Sequence, residues 1–232
     1  MTKAILLDIE GTTTPIDFVH RALFPFAREW VGEFVAENFN QLSDEISALE
    51  SERAEDRSYE DIFDKGSPES VAKYLRHLIG IDSKSTPLKS IQGMIWQRGY
   101  GTGELLSRVF DDVPNAFERW KSQGRTIAIY SSGSALAQKL LFKYTDHGDL
   151  AKYIDDYFDT TTGAKRDAES YSKIADSLGL EPHDILFISD IPAELDAARS
   201  SGLQTALSIR QGNPEIAEDI THRVITSFND LL

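Results

Sequence analysis

Two acidic residues, Asp8 and Glu10, directly follow the aliphatic run Ile5–Leu7 near the start of the chain. The run is typical of a buried strand, and a buried carboxylate is normally paired, neutralised or metal-bound because its desolvation is costly. Residues two apart on a strand face the same side, and Gly11 lets the backbone turn sharply. The pattern suits a carboxylate nucleophile with an acid/base beside it, although an ordinary strand-to-loop turn explains this segment alone equally well.

Three further segments carry polar groups where a predicted strand ends or a loop follows: Ser131, Ser132 and Gly133 after 126–130, Lys165 in the loop 160–165, and Asp190 after 185–188. Each has an ordinary interpretation, since serines and aspartates often cap helices and lysines are mostly exposed. Ligands of open parallel sheets bind at the carboxyl ends of the strands. Four such groups at one end of a sheet therefore favour a common site over independent caps.

The elements that would position these groups alternate from about residue 112 onward. Helices are predicted over 114–123, 135–144, 168–178 and 193–201, and strands over 126–130, 157–158, 185–188 and 204–209, with a last edge strand at 224–225. This alternation predicts an α/β fold in which a Rossmann-like parallel sheet carries helices on both faces.

Residues 17–109 lack any convincing strand and have apolar residues at helical spacing. Helices are predicted over 18–35 (kinked near Pro25), 42–54, 69–79 and 87–98. We expect a mostly helical cap domain at 17–109, inserted after the first strand of a catalytic core formed by 1–16 and 110–232. The glycine-rich segment 99–103 does not follow a strand, so we expect a turn of the cap near the site rather than a nucleotide-binding loop.

Composition narrows the function classes. The 232 residues carry a formal charge of −14 and have a pI near 4.7, which disfavours nucleic-acid and anionic-membrane partners because both need a basic face. The absence of cysteine excludes disulfides, thiolate catalysis and cysteine-based zinc sites. No apolar run approaches the ~20 residues that span a bilayer. We expect a cytoplasmic monomer that acts on a small molecule.

The polar groups, in this order, resemble the haloacid dehalogenase superfamily of aspartate-nucleophile phosphatases. The first motif is Asp8-Ile9-Glu10-Gly11-Thr12, and Ser131, Lys165 and Asp190 match the following three, with Glu194 four positions after the last. Longer segments, 8–16, 129–134 and 158–165, resemble the enolase-phosphatases of the methionine salvage pathway, and so do the cap segments 91–96 and 99–103. In that family Glu is the usual second acid of the first motif, and the resemblance covers nearly the full chain.

The resemblance implies a role for each of these residues. Asp8 would be the nucleophile that forms an aspartyl-phosphate, Glu10 the acid/base, and Lys165 the cation that screens Asp8 and binds substrate. Mg²⁺ would be held by Asp8, the backbone carbonyl of Glu10 and Asp190. The phosphate oxygens would be bound by Ser131, Ser132 and Gly133, near the start of a helix.

The family reaction is the enolisation of 2,3-diketo-5-methylthiopentyl-1-phosphate, followed by dephosphorylation to 1,2-dihydroxy-3-keto-5-methylthiopentene in L-methionine salvage. Phe18, Leu23 and Trp96 are candidates to bind the methylthio end, although aromatic residues at helical spacing more often form a core. The enolisation base and the role of Glu194 stay open.

Two alternatives remain besides this reaction. A generic Mg-dependent phosphatase of the same superfamily would carry the same four motifs, so only the resemblance in the cap separates it. A phosphoaspartate receiver-like signalling module would also use an acceptor aspartate, but an insert of this size would cover it. A dehalogenase is disfavoured because that chemistry uses no Mg²⁺ and does not need Glu10.

Overall fold

The computed structural model describes residues 2–216 and 221–231 of the chain. The chain forms two compact units. The core comprises Met1–Phe18 and Leu106–Leu232, and the cap comprises Val19–Leu105. No helix in the described part of the chain is long and apolar enough to cross a membrane.

The core is built on a six-stranded sheet in which every neighbouring pair of strands is parallel. The strands are β1 (Ala4–Leu7), β2 (Thr126–Tyr130), β3 (Asp156–Phe158), β4 (Ile185–Ser189), β5 (Gln204–Ser208) and β6 (Arg223–Ile225). Their order across the sheet is β3-β2-β1-β4-β5-β6. The predicted parallel sheet is thereby confirmed.

Strand β1 lies at the centre of the sheet and is buried along its whole length. Leu7 is in register with Ile129 of β2 on one side and with Ile188 of β4 on the other. The chain therefore continues to opposite sides of β1, which makes the carboxyl end of β1 the topological switch point where open α/β sheets bind ligands.

The helices, in chain order, are α1 (Ile16–Phe18), α2 (Phe24–Asn38), α3 (Ser43–Glu55), α4 (Pro68–Gly80), α5 (Thr86–Thr102), α6 (Val113–Ser122), α7 (Ala135–Lys143), α8 (Ala168–Leu178) and α9 (Pro192–Ser200). Short 3-10 turns lie at Phe39–Gln41, Ala151–Tyr153, Pro182–Asp184 and Phe228–Asp230. Helices α2 to α5 belong to the cap and the others to the core.

Helices cover both faces of the sheet, as predicted. On one face, alternate strand residues such as Leu6 and Phe187 pack with Tyr171 of α8 and Leu195 of α9. On the other face, α6 packs against β2 and α7 against β3. Strands buried on both sides explain why β1 reads as a continuous apolar run rather than an alternating one.

The cap packs α2 against α4 and α5, and α3 against α5. Its start differs from the prediction, because a five-residue π-helical turn, Val19–Leu23, precedes α2. The irregularity therefore lies before Pro25 rather than at it, since Pro25 occupies the first turn of α2, where its missing N–H is tolerated.

The predicted turn at 99–103 is also wrong. Residues 99–102 continue α5, and Gly103, with φ of 79°, ends that helix in the left-handed conformation. A Cβ at Gly99 would lie 2.5 Å from the ring of Phe26 and 3.0 Å from Leu105, so the glycine permits close packing inside the cap.

Candidate active site

Asp8 is the first residue after β1, and its backbone N–H still donates to the Ile188 carbonyl of β4, at 3.0 Å. The side chain is 8% exposed. Its Oδ1 accepts the Ile9 N–H at 2.7 Å and lies 2.7 Å from Nζ of Lys165. The sheet therefore holds this carboxylate in a fixed, buried position beside a cation.

Lys165 bridges two carboxylates. Its Nζ lies 2.7 Å from Asp8 Oδ1 and 2.6 Å from Glu194 Oε2, and its side chain is 11% exposed. Burial alone would lower the pKa of Lys165, but the two anions outweigh it, so the pKa of the ammonium is raised. Lys165 is therefore a buried cation beside Asp8, and the ordinary interpretation of an exposed loop lysine is wrong.

Side chains from the sheet and from α8 hold the loop that carries Lys165. Tyr171 donates to the Lys165 carbonyl at 2.6 Å, Ser170 donates to the Ala164 carbonyl at 2.9 Å, and Tyr130 donates to the Gly163 carbonyl at 3.0 Å. Because three consecutive carbonyls are bound, the loop presents the lysine with little conformational freedom.

Ser189 and Glu194 complete the cluster around Asp8. The Ser189 hydroxyl lies 2.9 Å from Glu194 Oε2 and 3.4 Å from Asp8 Oδ2, and it accepts the Ile191 N–H at 3.2 Å. Burial and the charge of Asp8 raise the pKa of Glu194, against the opposing effect of Lys165. The site prediction did not include Ser189, although its position at the end of β4, just before Asp190, was the available signal.

Asp190 lies against the first-motif loop. Gly11 has φ of 68°, and a Cβ there would overlap Oδ2 of Asp190. Glycine is needed at this position because a side chain would be strained at a positive φ and would clash with Asp190. Burial and the neighbouring charge of Asp8 raise the pKa of Asp190 from 3.8 to about 7, with Lys165 opposing the shift. Without a counter-cation, the pocket therefore disfavours the charged form of Asp190.

The first-motif loop is tied to the C-terminal part of the core by residues that the site prediction missed. Arg210 donates to the Thr12 carbonyl at 3.2 Å and pairs with Asp112 at 2.8 Å, while Asn213 donates to the Gly11 carbonyl at 3.0 Å. The hydrogen bonds join residues about 200 positions apart, so no local sequence pattern could have identified them.

The Ser131–Gly133 segment follows β2, the other neighbour of β1. Ser131 Oγ accepts the Gly133 N–H at 3.4 Å, and Gln138 donates to the Gly133 carbonyl at 2.8 Å. Helix α7 is capped by Ser134, which accepts the Ala137 N–H at 3.3 Å. The capping interpretation of Ser131 and Ser132 is therefore wrong, and Gln138 is a further residue that positions this loop.

The structure thus brings Asp8, Lys165, Ser189 and Glu194 into direct contact, with Asp190 beside Gly11. Glu10 lies in the same loop and is partly exposed. The candidates for an apolar pocket are buried packing residues: Phe18 in the core, and Trp96 in the cap, where its indole N–H donates to the Leu23 carbonyl at 2.9 Å.

The oxygen atoms around Asp8 and Asp190 fit Mg²⁺. The Asp190 carboxylate lies beside the Gly11 backbone, and Oδ1 of Asn213 is buried there without a hydrogen-bond partner among the described residues. Across residues 2–216 and 221–231, no group of three His, Cys, Asp or Glu side chains is arranged to hold an ion by itself. Mg²⁺ suits such a site because it binds one or two carboxylates and completes its shell with other oxygens.

Comparisons with known proteins identify the family of the chain. A family model described as haloacid dehalogenase-like hydrolase matches residues 2–202. The chain is 48% identical to enolase-phosphatase E1 of Synechococcus elongatus, over 98% of this chain and 96% of the relative. It is 44% identical to enolase-phosphatase E1 of Drosophila pseudoobscura pseudoobscura, over 100% and 95%.

The crystal structure of the UTR4 protein of Saccharomyces cerevisiae superposes with a TM-score of 0.83 at 33% identity, over 100% of both chains. The resemblance drawn from the motifs is confirmed over nearly the full length. The chain therefore belongs to the haloacid dehalogenase-like hydrolases and, within them, to the enolase-phosphatase family.

Proposed function

We propose that this hydrolase enolises 2,3-diketo-5-methylthiopentyl-1-phosphate and then dephosphorylates it to 1,2-dihydroxy-3-keto-5-methylthiopentene, as part of L-methionine salvage. The observation that carries the chemistry is the buried contact of 2.7 Å between Lys165 Nζ and Asp8 Oδ1 at the switch point of the sheet. Its relatives' name, enolase-phosphatase, supports the two-part reaction. The partner is a small phosphorylated diketone, and the cytoplasmic, monomeric state stays a prediction.

Asp8 is the proposed nucleophile. A bond forms between its carboxylate oxygen and phosphorus while the bond from phosphorus to the ester oxygen breaks, which leaves an aspartyl-phosphate on the enzyme. Two anions repel each other as they approach, and the Lys165 ammonium lowers that repulsion because it stays charged beside Asp8. Positioning and charge neutralisation supply most of the acceleration in phosphoryl transfer.

Mg²⁺ is the proposed cofactor, held by the Asp8 carboxylate, the backbone carbonyl of Glu10 and Asp190. When bound, Mg²⁺ neutralises phosphate charge and orients the transferring group. The raised pKa of Asp190 supports this assignment, since a buried carboxylate among other acids gains most from a cation.

The loop after β2 is proposed to bind the phosphate oxygens, through the Ser131 hydroxyl and the backbone N–H groups of Ser132 and Gly133. Gln138 holds this loop through the Gly133 carbonyl, at 2.8 Å, and so keeps those donors in place. The start of α7 adds a favourable field for an anion.

Glu10 is the proposed acid/base. It would protonate the leaving oxygen and later remove a proton from the water that hydrolyses the aspartyl-phosphate. Enolisation requires removal of a proton from a carbon beside a carbonyl, and Glu10 is the proposed participant in that step as well.

The test follows the diketo phosphate with Mg²⁺ by ultraviolet absorbance and by phosphate release. Enol formation before phosphate release supports the two-part reaction, whereas phosphate release without an enol reduces the protein to a generic phosphatase. Asp8→Asn should abolish turnover and the acyl-phosphate adduct in mass spectra, while Asp176→Asn, a matched change of an exposed α8 residue, should leave both unchanged. Full turnover by Asp8→Asn would remove the nucleophile assignment.

A further inference from the structure

Asn213 lies shortly after β5 and uses only one end of its amide within the described residues. Its Nδ2 donates to the Gly11 carbonyl at 3.0 Å and approaches the Ser208 carbonyl at 3.4 Å. Both neighbours are carbonyl oxygens, which can only accept, so the chemistry fixes which end of the amide is nitrogen. The oxygen, Oδ1, is then directed away from these two carbonyls.

Oδ1 of Asn213 is buried and has no hydrogen-bond partner among residues 2–216 and 221–231. It lies close to the proposed metal ligand, because a Cβ built on Gly11 would overlap Asp190 Oδ2 and lie 3.0 Å from Asn213 Oδ1. Two oxygen acceptors therefore approach the same point of the first-motif loop. When Asp190 is ionised, neither oxygen can donate a hydrogen bond to the other. The two acceptors therefore need a cation beside them, or water molecules that are bound to a cation.

The space next to these atoms is open enough for a hydrated ion. Asp190, Asn213 and Ser208 line a cavity of about 710 Å³ at the carboxyl ends of β4 and β5, together with neighbouring residues of the core. Mg²⁺ gives up its waters reluctantly and usually keeps several of them. A water on the ion is a strong donor and would satisfy an amide oxygen that the described residues leave without a partner.

We propose that Asn213 is a further residue of the magnesium site, and that its Oδ1 accepts a hydrogen bond from a water bound to the Mg²⁺ at Asp190. The same amide therefore joins the first-motif loop, through Gly11, to the hydration shell of the ion. This inference rests on the proposed function, because it uses the magnesium assigned there.

The alternative is that Asn213 only braces the Gly11 carbonyl, which would use Nδ2 alone. Three variants of the full chain separate these roles. Asn213→Ala removes both ends of the amide, and Asn213→Asp keeps an oxygen acceptor but loses the donor to Gly11. Ser208→Ala is the matched control, because its hydroxyl donates to the same Gly11 carbonyl, at 3.4 Å.

The measurement is the rise in melting temperature with MgCl₂ concentration, without substrate, which yields a dissociation constant for each variant. We expect Asn213→Ala to weaken Mg²⁺ binding about tenfold, as losing a residue that orients a metal shell does. Asn213→Asp should bind Mg²⁺ within about threefold of the native chain or more tightly, because an anion replaces a neutral acceptor near the ion. Ser208→Ala should stay within about twofold of the native chain, since it leaves the amide in place.

Equal weakening by Asn213→Ala and Asn213→Asp would overturn the inference in favour of a brace. Native affinity in Asn213→Ala would overturn it as well, because the amide would then play no part in Mg²⁺ binding. If Asn213→Ala does not fold, Asn213→Asp decides alone, because a brace predicts loss of affinity and a water acceptor predicts retention. If the native chain is not stabilised by Mg²⁺ at all, the magnesium assignment of the proposed function fails as well, which is a different result from an Asn213 effect alone.

Discussion

Replacing Asp190 by asparagine should stabilise the metal-free protein at alkaline pH, although it removes a proposed metal ligand. Asp190 is 7% exposed and lies near the carboxylates of Asp8 and Glu194. The nearby Lys165 cation opposes their effect on the pKa of Asp190. These surroundings raise the pKa of Asp190 from 3.8 to about 7. Ionising this side chain therefore costs free energy in the folded protein but not in the unfolded chain, so ionisation lowers the free energy of unfolding.

The sign and the size follow from proton linkage. Below pH 3.8 Asp190 is protonated in both the folded and the unfolded chain, so it causes no loss of stability. As pH rises toward 7, the unfolded chain releases this proton while the folded chain keeps it, and the free energy of unfolding falls. The full penalty applies above pH 7. A shift of about three pKa units corresponds to about 4 kcal/mol, which is an upper bound for the gain in Asp190→Asn.

The assay is urea unfolding in the presence of EDTA. At about pH 8.5 the free energy of unfolding of Asp190→Asn should exceed that of the native chain, and at about pH 4.5 the difference should shrink toward zero. Added MgCl₂ should stabilise the native chain much more than the variant. Asp184→Asn is a control of opposite sign, because the ion pair with Lys3 lowers the pKa of Asp184.

A variant that is no more stable than the native chain at about pH 8.5 would refute the electrostatic reasoning. A gain that persists unchanged at about pH 4.5 would also refute it, since the carboxyl is then protonated in the folded native protein and asparagine replaces a neutral group.

Three further substitutions test the contacts around the first motif. Lys165→Met should lower the rate constant of phosphate release at least about 100-fold, because Asp8 and Glu194 lose their shared cation; steady-state kinetics measure this. Ser189→Ala should lower kcat roughly tenfold with little change in KM, since the hydroxyl orients groups that act in the chemical step rather than in binding. Arg210→Met should destabilise the fold by about 1–3 kcal/mol in urea unfolding, because it leaves the half-buried Asp112 without its cation.

Matched exposed residues serve as controls for these substitutions. Lys173→Met on α8, Ser200→Ala on α9 and Arg199→Met on α9 change the same residue types at exposed positions and should leave rate and stability close to native. Equal effects in a substitution and its control would contradict the role inferred from the contact. A raised KM with native kcat in Ser189→Ala would show that Ser189 contributes to substrate binding rather than to the chemical step.

Local patterns predicted the fold well because strands and helices of the core are set by neighbouring residues. Each apolar run, at β1, β2 and β4, consists of consecutive residues. The glycines that end helices stand beside the helices that they end, so both signals are local in the sequence. The errors arose where distant packing decides the local shape. Gly99 lies inside α5, where it leaves room for the ring of Phe26, and α7 is capped by Ser134 rather than by the serines that follow β2.

The sequence by itself determined the family, the parallel sheet and the polar groups Asp8, Ser131, Lys165 and Asp190, because residue type, spacing and order express them directly. Only the tertiary structure decided that Lys165 is shared between Asp8 and Glu194, that Ser189 joins the cluster, and that Asn213 and Arg210 hold the first-motif loop. The physical reason is that buried charges and amides are partnered across the sheet by residues far apart in the chain. Their contacts come into being only when parallel strands bring their carboxyl ends together.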